Sequence, residues 1–161
     1  MVGFAASGRR DSRRIAGTVW VVRDRDELRR WFNSQDVVSH SYMYCDSIGE
    51  GSAVVRMNPP ASLAAPNGAM NGGHLALLAE NVGGLAVMSM YERDVWVGAI
   101  QMDVHFLAPV LSWPAVASAR LARGGKRLAF VTIVISDAEG VTCAHGSSVS
   151  SLTTSVGWQC G

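Results

Sequence analysis

"NGGHLALLAENVGGLAVMSM", residues 71–90, decides how this chain folds. Its apolar residues cover nearly the whole circumference of a 3.6-residue period, which predicts a helix over about 72–91 that is buried on most sides. A helix of that kind needs a sheet wrapped around it. Gly83 and Gly84 weaken the helix intrinsically, and their expected use is close approach to another backbone. The stretch is long enough to suggest a membrane span, but Glu80, Asn81 and four glycines argue against one. Glu80 is the anomaly. A carboxylate in so apolar a setting must find water, a partner or a chemical task.

The flanks supply the sheet. Upstream, "SHSYMYCDSIGEGSAVVRM" (39–57) places turn chemistry, "SIGEG", between two strand-like runs. "DRDELRRWFNSQ" (24–35) reads as a short amphipathic helix with Leu28, Trp31 and Phe32 on one side. Trp20, Trp31 and Phe32 suggest that part of the N-terminal region packs on the body. "NPPASLAAPNGAMNGG" (58–73) is a loop by its Pro, Asn and Gly content, and its length marks it as shaped for function. Downstream the period changes to two. In "VWVGAIQMDVHFLAPV" (95–110), Ile100, Met102, Val104 and Phe106 alternate with Gln101, Asp103 and His105, which predicts a half-buried strand. "AVASARLAR" (115–123), "RLAFVTIVIS" (127–136) and "VTCAHGSSVSSL" (141–152) are three more, the last two joined by a turn at "DAEG" (137–140). Two strands, one long helix and four antiparallel strands make an α+β fold. Residues 1–35 form an N-terminal extension with a short helix, and residues 36–161 form the main domain.

Composition narrows the function. At 161 residues, with 48% apolar and 17% charged residues, the chain is one globular domain with a real core. A net charge of +1 argues against nucleic acid as a partner. The basic residues of "GRRDSRR" (8–14) read as a solvated terminus, and the run "IAGTVWVV" (15–22) ends in "RDRDE" without a small-residue cleavage site, so no export signal is expected. Cys45, Cys143 and Cys160 are odd in number and lack CxxC spacing, which points to neither a disulfide framework nor a zinc site but to a reducing, cytoplasmic setting.

Gly72 and Gly73 open the helix, so amide hydrogens in its first turn are free to meet an anion or a developing oxyanion. No GK[ST] ending follows, so the turn is not a nucleotide-triphosphate loop. Glu80 lies eight residues beyond Gly72, roughly 12 Å of helical rise. One reacting carbonyl cannot touch both from a single chain. Two antiparallel copies about a two-fold axis would bring Gly72 of one beside Glu80 of the other. The residues alone leave this reading open beside another, a buried carboxylate paired with a basic side chain or the backbone. Asp103 and His105 project from one strand face, more as an exposed or interface-facing edge than as an acid–base pair. His40, His74 and His145 are scattered singles; His74, in the first helical turn near the oxyanion site, is a candidate substrate-binding residue, beside the reading of a packed or solvated histidine.

"PNGAMNGGHLALLAENVGG" followed by "IQMDVHFLAPV" resembles the hotdog-fold acyl-CoA thioesterases of the phenylacetate-degradation and 4-hydroxybenzoyl-CoA thioesterase branch. That family carries Asn, Gly, His-Gly-Gly, an acidic residue nine positions after the His, and a strand ending Phe-Leu-x-Pro. Asn67, Gly68, Asn71-Gly72-Gly73, Glu80 and Phe106-Leu107-Ala108-Pro109 occupy those places. The likeness spans roughly residues 36–152 and includes the hairpin "GGKRLAFVTIVISDAEG". It departs at Asn71, where the family has His, and at Ala99, near a position that often carries Ser or Thr. The second removes a hydroxyl that can orient the acid or its water.

The resemblance implies an antiparallel sheet around a central helix and a homodimer that can assemble to a homotetramer. It implies hydrolysis of an acyl-CoA with an aryl or medium-sized acyl group, and no metal or redox cofactor. Gly72, aided by Gly73, would bind the carbonyl; Glu80 would be base or nucleophile; Asn67 or Asn71 would hold the carbonyl or water. Arg120, Arg123, Lys126 and Arg127 would meet the phosphates of coenzyme A. Two other readings compete: a hotdog dimer that binds acyl-CoA or another apolar ligand without hydrolysis, and a hydratase. The second would want a His–Asp pairing that residues 71–81 do not supply.

Overall fold

A computed structural model of the chain describes residues 24–91 and 95–154. Trp20, Cys160, the basic segment 8–14 and the apolar run 15–22 lie outside the described residues. In chain order the elements are α1 (Arg25–Asn33), α2 (Asp36–His40), β1 (Met43–Gly49), β2 (Ser52–Met57), a 3₁₀ turn (Ala61–Leu63), α3 (Gly72–Met88), β3 (Val95–Phe106), β4 (Ala115–Gly124), β5 (Leu128–Ser136) and β6 (Thr142–Thr154). The strands form one antiparallel sheet in the order β1-β2-β4-β5-β6-β3. This is the expected α+β architecture, a sheet curled around a central helix.

The central helix α3 begins where Asn71, in extended conformation, accepts a hydrogen bond from the Gly73 N–H at 2.8 Å. It ends at Met88, short of residue 91, where the Ser89 hydroxyl accepts from the Gly51 N–H at 3.0 Å and ties the helix end to the β1–β2 turn. Leu75, Leu78, Ala79, Val82, Leu85 and Ala86 are almost fully buried against the sheet. Each large side chain so buried contributes roughly 1.5–3 kcal/mol. One stripe stays open: Gly73 and Glu80 are exposed, and Leu77, Gly84 and Met88 are half-buried. The sheet therefore wraps α3 incompletely, with its two edge strands, β1 and β3, flanking the gap.

The two glycines inside α3 differ. A Cβ on Gly83 would lie 3.0 Å from Ser148 Oγ and 3.4 Å from Ile133 Cδ1, the close approach to the sheet that the sequence suggests. A Cβ on Gly84 would meet nothing within 4 Å, so close packing does not explain it.

The edge strand β1 is closed by α1. Asn33 donates its side-chain NH₂ to the Cys45 carbonyl (3.1 Å) and accepts from the Cys45 N–H (2.7 Å), replacing a missing strand neighbour. Leu28 and Phe32 of α1 and Val38 of α2 enter the same core as the sheet and α3. Sequence periodicity does not reveal α2, because five residues are too few to display a repeat.

β3 departs from simple alternation. Its register against β6 shifts between Ala99 and Gln101, leaving Ile100 as a bulge that is 61% exposed. Inward residues are Val95 and Val97 before the bulge, Met102 and Val104 after it. Phe106, expected inside, is 57% exposed. The turn between β5 and β6 matches the reading of "DAEG": Asp137 accepts from the N–H groups of Glu139 (3.0 Å) and Val141 (2.9 Å), and Gly140 takes φ +84°. Among the described residues, no helix is long and apolar enough to cross a membrane.

Candidate active site

Among the described residues, one cavity lies at the start of α3 and another along its open stripe. The first, of about 410 Å³, lies between the 58–71 loop, the first turn of α3 and the segment after β3. Asn67, Met70, Gly72, Phe106 and Pro109 are among its walls. The loop holds its shape through its own backbone. Ala65 N–H donates to Ala69 O (2.8 Å), Gly68 N–H to Ala65 O (2.8 Å), and Met70 N–H to Val110 O (2.9 Å). Gly68 sits at φ +80°, and Asn67 Oδ1 accepts from the Ala69 N–H at 3.2 Å, so an Asn-Gly pair forms this corner. The Asn67 NH₂ remains as a donor at the cavity wall.

First-turn amides are not equivalent. Gly73 N–H is committed to Asn71 Oδ1, and the His74 N–H donates to the Asn71 carbonyl at 3.0 Å. Among the described residues nothing accepts from the Gly72 N–H. It stands at the positive end of α3, in the cavity wall, where a carbonyl oxygen or oxyanion would be stabilised. Its missing side chain matters as well: a Cβ there would lie 3.4 Å from the Phe106 ring. The free donor is thus Gly72 alone. Gly73 does not join it, because Asn71 spends its side-chain oxygen as the helix cap. That capping task was hidden in the sequence, where Asn71 reads as a substitute for a family histidine.

Glu80 lies in the second cavity, of about 220 Å³, with Trp31, Gln35, Gly84, Met88 and Val97. Among the described residues its carboxylate has neither an ion pair nor a hydrogen bond; the ion pairs present are Arg25–Glu50, Arg29–Asp26 and Arg56–Asp46. The side chain reaches the surface of the protomer, yet its apolar surroundings push the carboxyl pKa above the ordinary carboxylate value. Neighbouring Asn81 turns its NH₂ back to the Leu77 carbonyl at 2.9 Å. Gly72 and Glu80 occupy separate cavities, two turns apart on one helix.

His74 falls beside the first turn with Nδ1 buried and without a hydrogen-bond partner among the described residues. Arg120, Arg123, Lys126 and Arg127 are all exposed. They surround the β4–β5 turn, which Tyr91 holds by donating its hydroxyl to the Gly125 carbonyl at 2.9 Å. That turn lies at the C-terminal end of α3, away from the Gly72 cavity of the same protomer. Asp103 and His105 are exposed on β3, and Asp103 accepts from Gln101 at 3.0 Å.

Cys45 and Cys143 are buried free thiols, and burial pushes the Cys45 thiol up to about 11, so it is no nucleophile. Among the described residues no cluster of three or more His, Cys, Asp or Glu side chains could hold a metal ion.

The cavity around α1 is what sequence reading missed. Trp31 and Gln35 belong to a segment read as an extension, and only its docking on β1 brings them opposite Glu80.

Known proteins resemble this chain in fold and in part of its sequence. The family model described as the thioesterase superfamily matches residues 67–144, from the Asn-Gly corner through α3 and β3 into β6. A Thermoplasma acidophilum protein named "Putative esterase" is 24% identical over 75% of this chain and 91% of its own length. A Haemophilus influenzae thioesterase structure aligns with TM-score 0.75 and 23% identity, covering 88% of this chain and 99% of that one. The Escherichia coli PaaI protein, from a phenylacetic acid degradation operon, aligns with TM-score 0.72 and 22% identity over 80% and 91% of the two chains. A Streptococcus pneumoniae protein described as a hypothetical thioesterase, solved with coenzyme A, aligns with TM-score 0.63 and 18% identity over 70% and 86%.

Proposed function

We propose that this chain, whose residues 67–144 match the thioesterase superfamily model, hydrolyses the thioester of an acyl-coenzyme A, in reaction centres that two protomers build together. One observation carries the reading. The free Gly72 N–H and the unpaired Glu80 carboxylate lie in separate cavities, two turns apart on a helix with an uncovered stripe. An antiparallel second copy set against that stripe would bring each donor to the other's acid, twice per dimer. The bare outer edge of β3, twelve residues long with Ile100 exposed beside it, offers a second seam for the same contact. Exposed Leu128 and Phe130 on the outer face of the sheet would serve to pair such dimers.

In this arrangement the thioester oxygen accepts from the Gly72 N–H, and the helix dipole favours the charge that grows on it. The partner's Glu80 takes a proton from water as the water oxygen bonds to the carbonyl carbon. Collapse of the tetrahedral species breaks the C–S bond, and the Glu80 proton passes to the departing sulfur. The products are a carboxylic acid and the free thiol. Direct attack by Glu80, giving an anhydride that water then opens, uses the same groups. A raised carboxyl pKa suits either course, since it strengthens the base. Asn67 would steady the carbonyl or water through its NH₂. No step calls for a metal or cofactor.

The antiparallel pairing also carries each basic turn round towards the partner's 58–71 loop, where Arg120, Arg123, Lys126 and Arg127 could meet the phosphates of coenzyme A. A KM for acyl-CoA that does not rise with salt would remove that role. A cytoplasmic setting accords with the free thiols of Cys45 and Cys143.

The rival reading is a dimer that binds acyl-CoA without turning it over, and it draws on the capture of the Gly73 amide by Asn71, which leaves one oxyanion donor. Thiol release from a panel of acyl-CoAs separates the two. Glu80→Ala should abolish release while leaving the dimer folded. Mixed with a protomer lacking the Gly72 donor, it should regain ~25% of wild-type activity, since half the dimers would be hybrids with one intact centre each. No recovery on mixing would refute the shared centre.

A further inference from the structure

The hydrolase reading says nothing of where the acyl group goes. Resting on that reading, we infer that the cavity between α1 and α3 is the acyl compartment, and that Gly84 and Trp31 set the size of acyl group it takes. Four observations converge. Glu80 stands in its wall, so a carbonyl carbon within reach of the acid has its acyl substituent at this opening. Gly84 lies one turn further along the same stripe, and a Cβ there would meet nothing within 4 Å. The neighbouring Gly83, by contrast, is pressed against Ser148 and Ile133. A helix-weakening glycine without a packing reason marks space kept open. Finally, Trp31 and Met88 supply apolar walls, and Val97 closes the side towards β3.

Volume sets the substrate class. The compartment holds about 220 Å³, against a cavity of ~150 Å³ that accepts benzene. It suits one aromatic ring with a short linker, or a chain of comparable bulk, and excludes a long fatty acyl chain. The polar pantetheine arm would leave through the other cavity, past Asn67. Selectivity is assigned to the wall that α1 supplies, held in place by the Asn33 clamp on Cys45.

The test compares kcat/KM for acetyl-, butyryl-, hexanoyl-, benzoyl- and palmitoyl-CoA in the full-length protein and its Gly84→Ala, Gly84→Leu and Trp31→Ala variants. Each methylene buried in such a compartment is worth roughly a fourfold gain in binding, so wild-type values should climb from acetyl to hexanoyl and fall at palmitoyl. Gly84→Leu fills the space of several methylenes and should cut the hexanoyl-to-acetyl and benzoyl-to-acetyl ratios at least about tenfold. Gly84→Ala should do so in part, and Trp31→Ala should move the optimum to longer chains. Thermal midpoints check that each variant is folded.

Ratios unchanged in the folded Gly84 variants would overturn the compartment while leaving the hydrolase intact. If the wild type hydrolyses none of the panel, the functional reading fails, and S-alkyl-CoA thioethers of increasing length then report the compartment through Kd. A chain-length-dependent loss of affinity in Gly84→Leu upholds it. Equal affinities in wild type and variant, or no binding, overturn it.

Discussion

Replacing Gly72 by proline would remove the proposed oxyanion donor and little else. Gly72 is the first residue of α3, a position where proline is at home because its missing N–H has no helical partner to lose. The residue before it already suits proline: Asn71 sits at φ −60°, ψ 135°, the extended conformation that proline imposes on its predecessor. The added carbons face the Phe106 ring at 3.4 Å, an ordinary contact against a half-exposed side chain. Gly72→Ala carries a carbon at the same place and keeps the N–H, so it is the control. The amides that could compensate are occupied, Gly73 by Asn71 Oδ1 and His74 by the Asn71 carbonyl. Loss of one oxyanion donor costs about 10²–10³ in kcat, or ~2.7–4 kcal/mol of transition-state stabilisation. With no second backbone amide free, the upper part of that range is expected. The assay is thiol release at saturating acyl-CoA, beside thermal denaturation, in which the proline variant should be unchanged or slightly more stable. A proline variant within about threefold of the alanine variant, less than ~0.7 kcal/mol, would refute the role of the Gly72 amide.

Four further outcomes follow from the packing. The raised carboxyl pKa of Glu80 means that the folded protein favours the protonated acid; this stabilisation is complete below the ordinary value of 4.5 and is lost as pH rises through the folded-state value. Glu80→Gln should therefore melt at a higher temperature than wild type at neutral pH, the difference vanishing in acid, as thermal scans across pH would show. Gly84→Ala should stabilise by about 0.8–1 kcal/mol through helix propensity, a rise of ~2–4 °C. Gly83→Ala should fall below it by about 1–3 kcal/mol, because its Cβ would meet Ser148 Oγ at 3.0 Å. Asn33→Ala strips the Cys45 N–H and carbonyl of their partner and should cost about 1–3 kcal/mol in denaturant unfolding.

The chain's own pattern was enough to determine the α+β class, the central helix, the six strands and the two glycines that open α3, because periodicity and turn chemistry are local properties. The 71–90 stretch dictated an enclosing sheet for the same reason: nothing else could cover so much apolar surface. Three-dimensional packing decided the rest. Only a ladder register could reveal that Ile100 is a bulge and Phe106 a half-exposed neighbour of Gly72. Whether Asn71 faces a substrate or caps the helix depended on where its oxygen points, as did the choice between Gly72 and Gly73 as donor. The sorting of Gly83 from Gly84, identical as letters, needed the sheet in place on one side and a cavity on the other. Trp31 and Glu80, nearly fifty residues apart, share a wall because α1 docks on β1 across the gap in the sheet, and burial between distant segments leaves no period in either one.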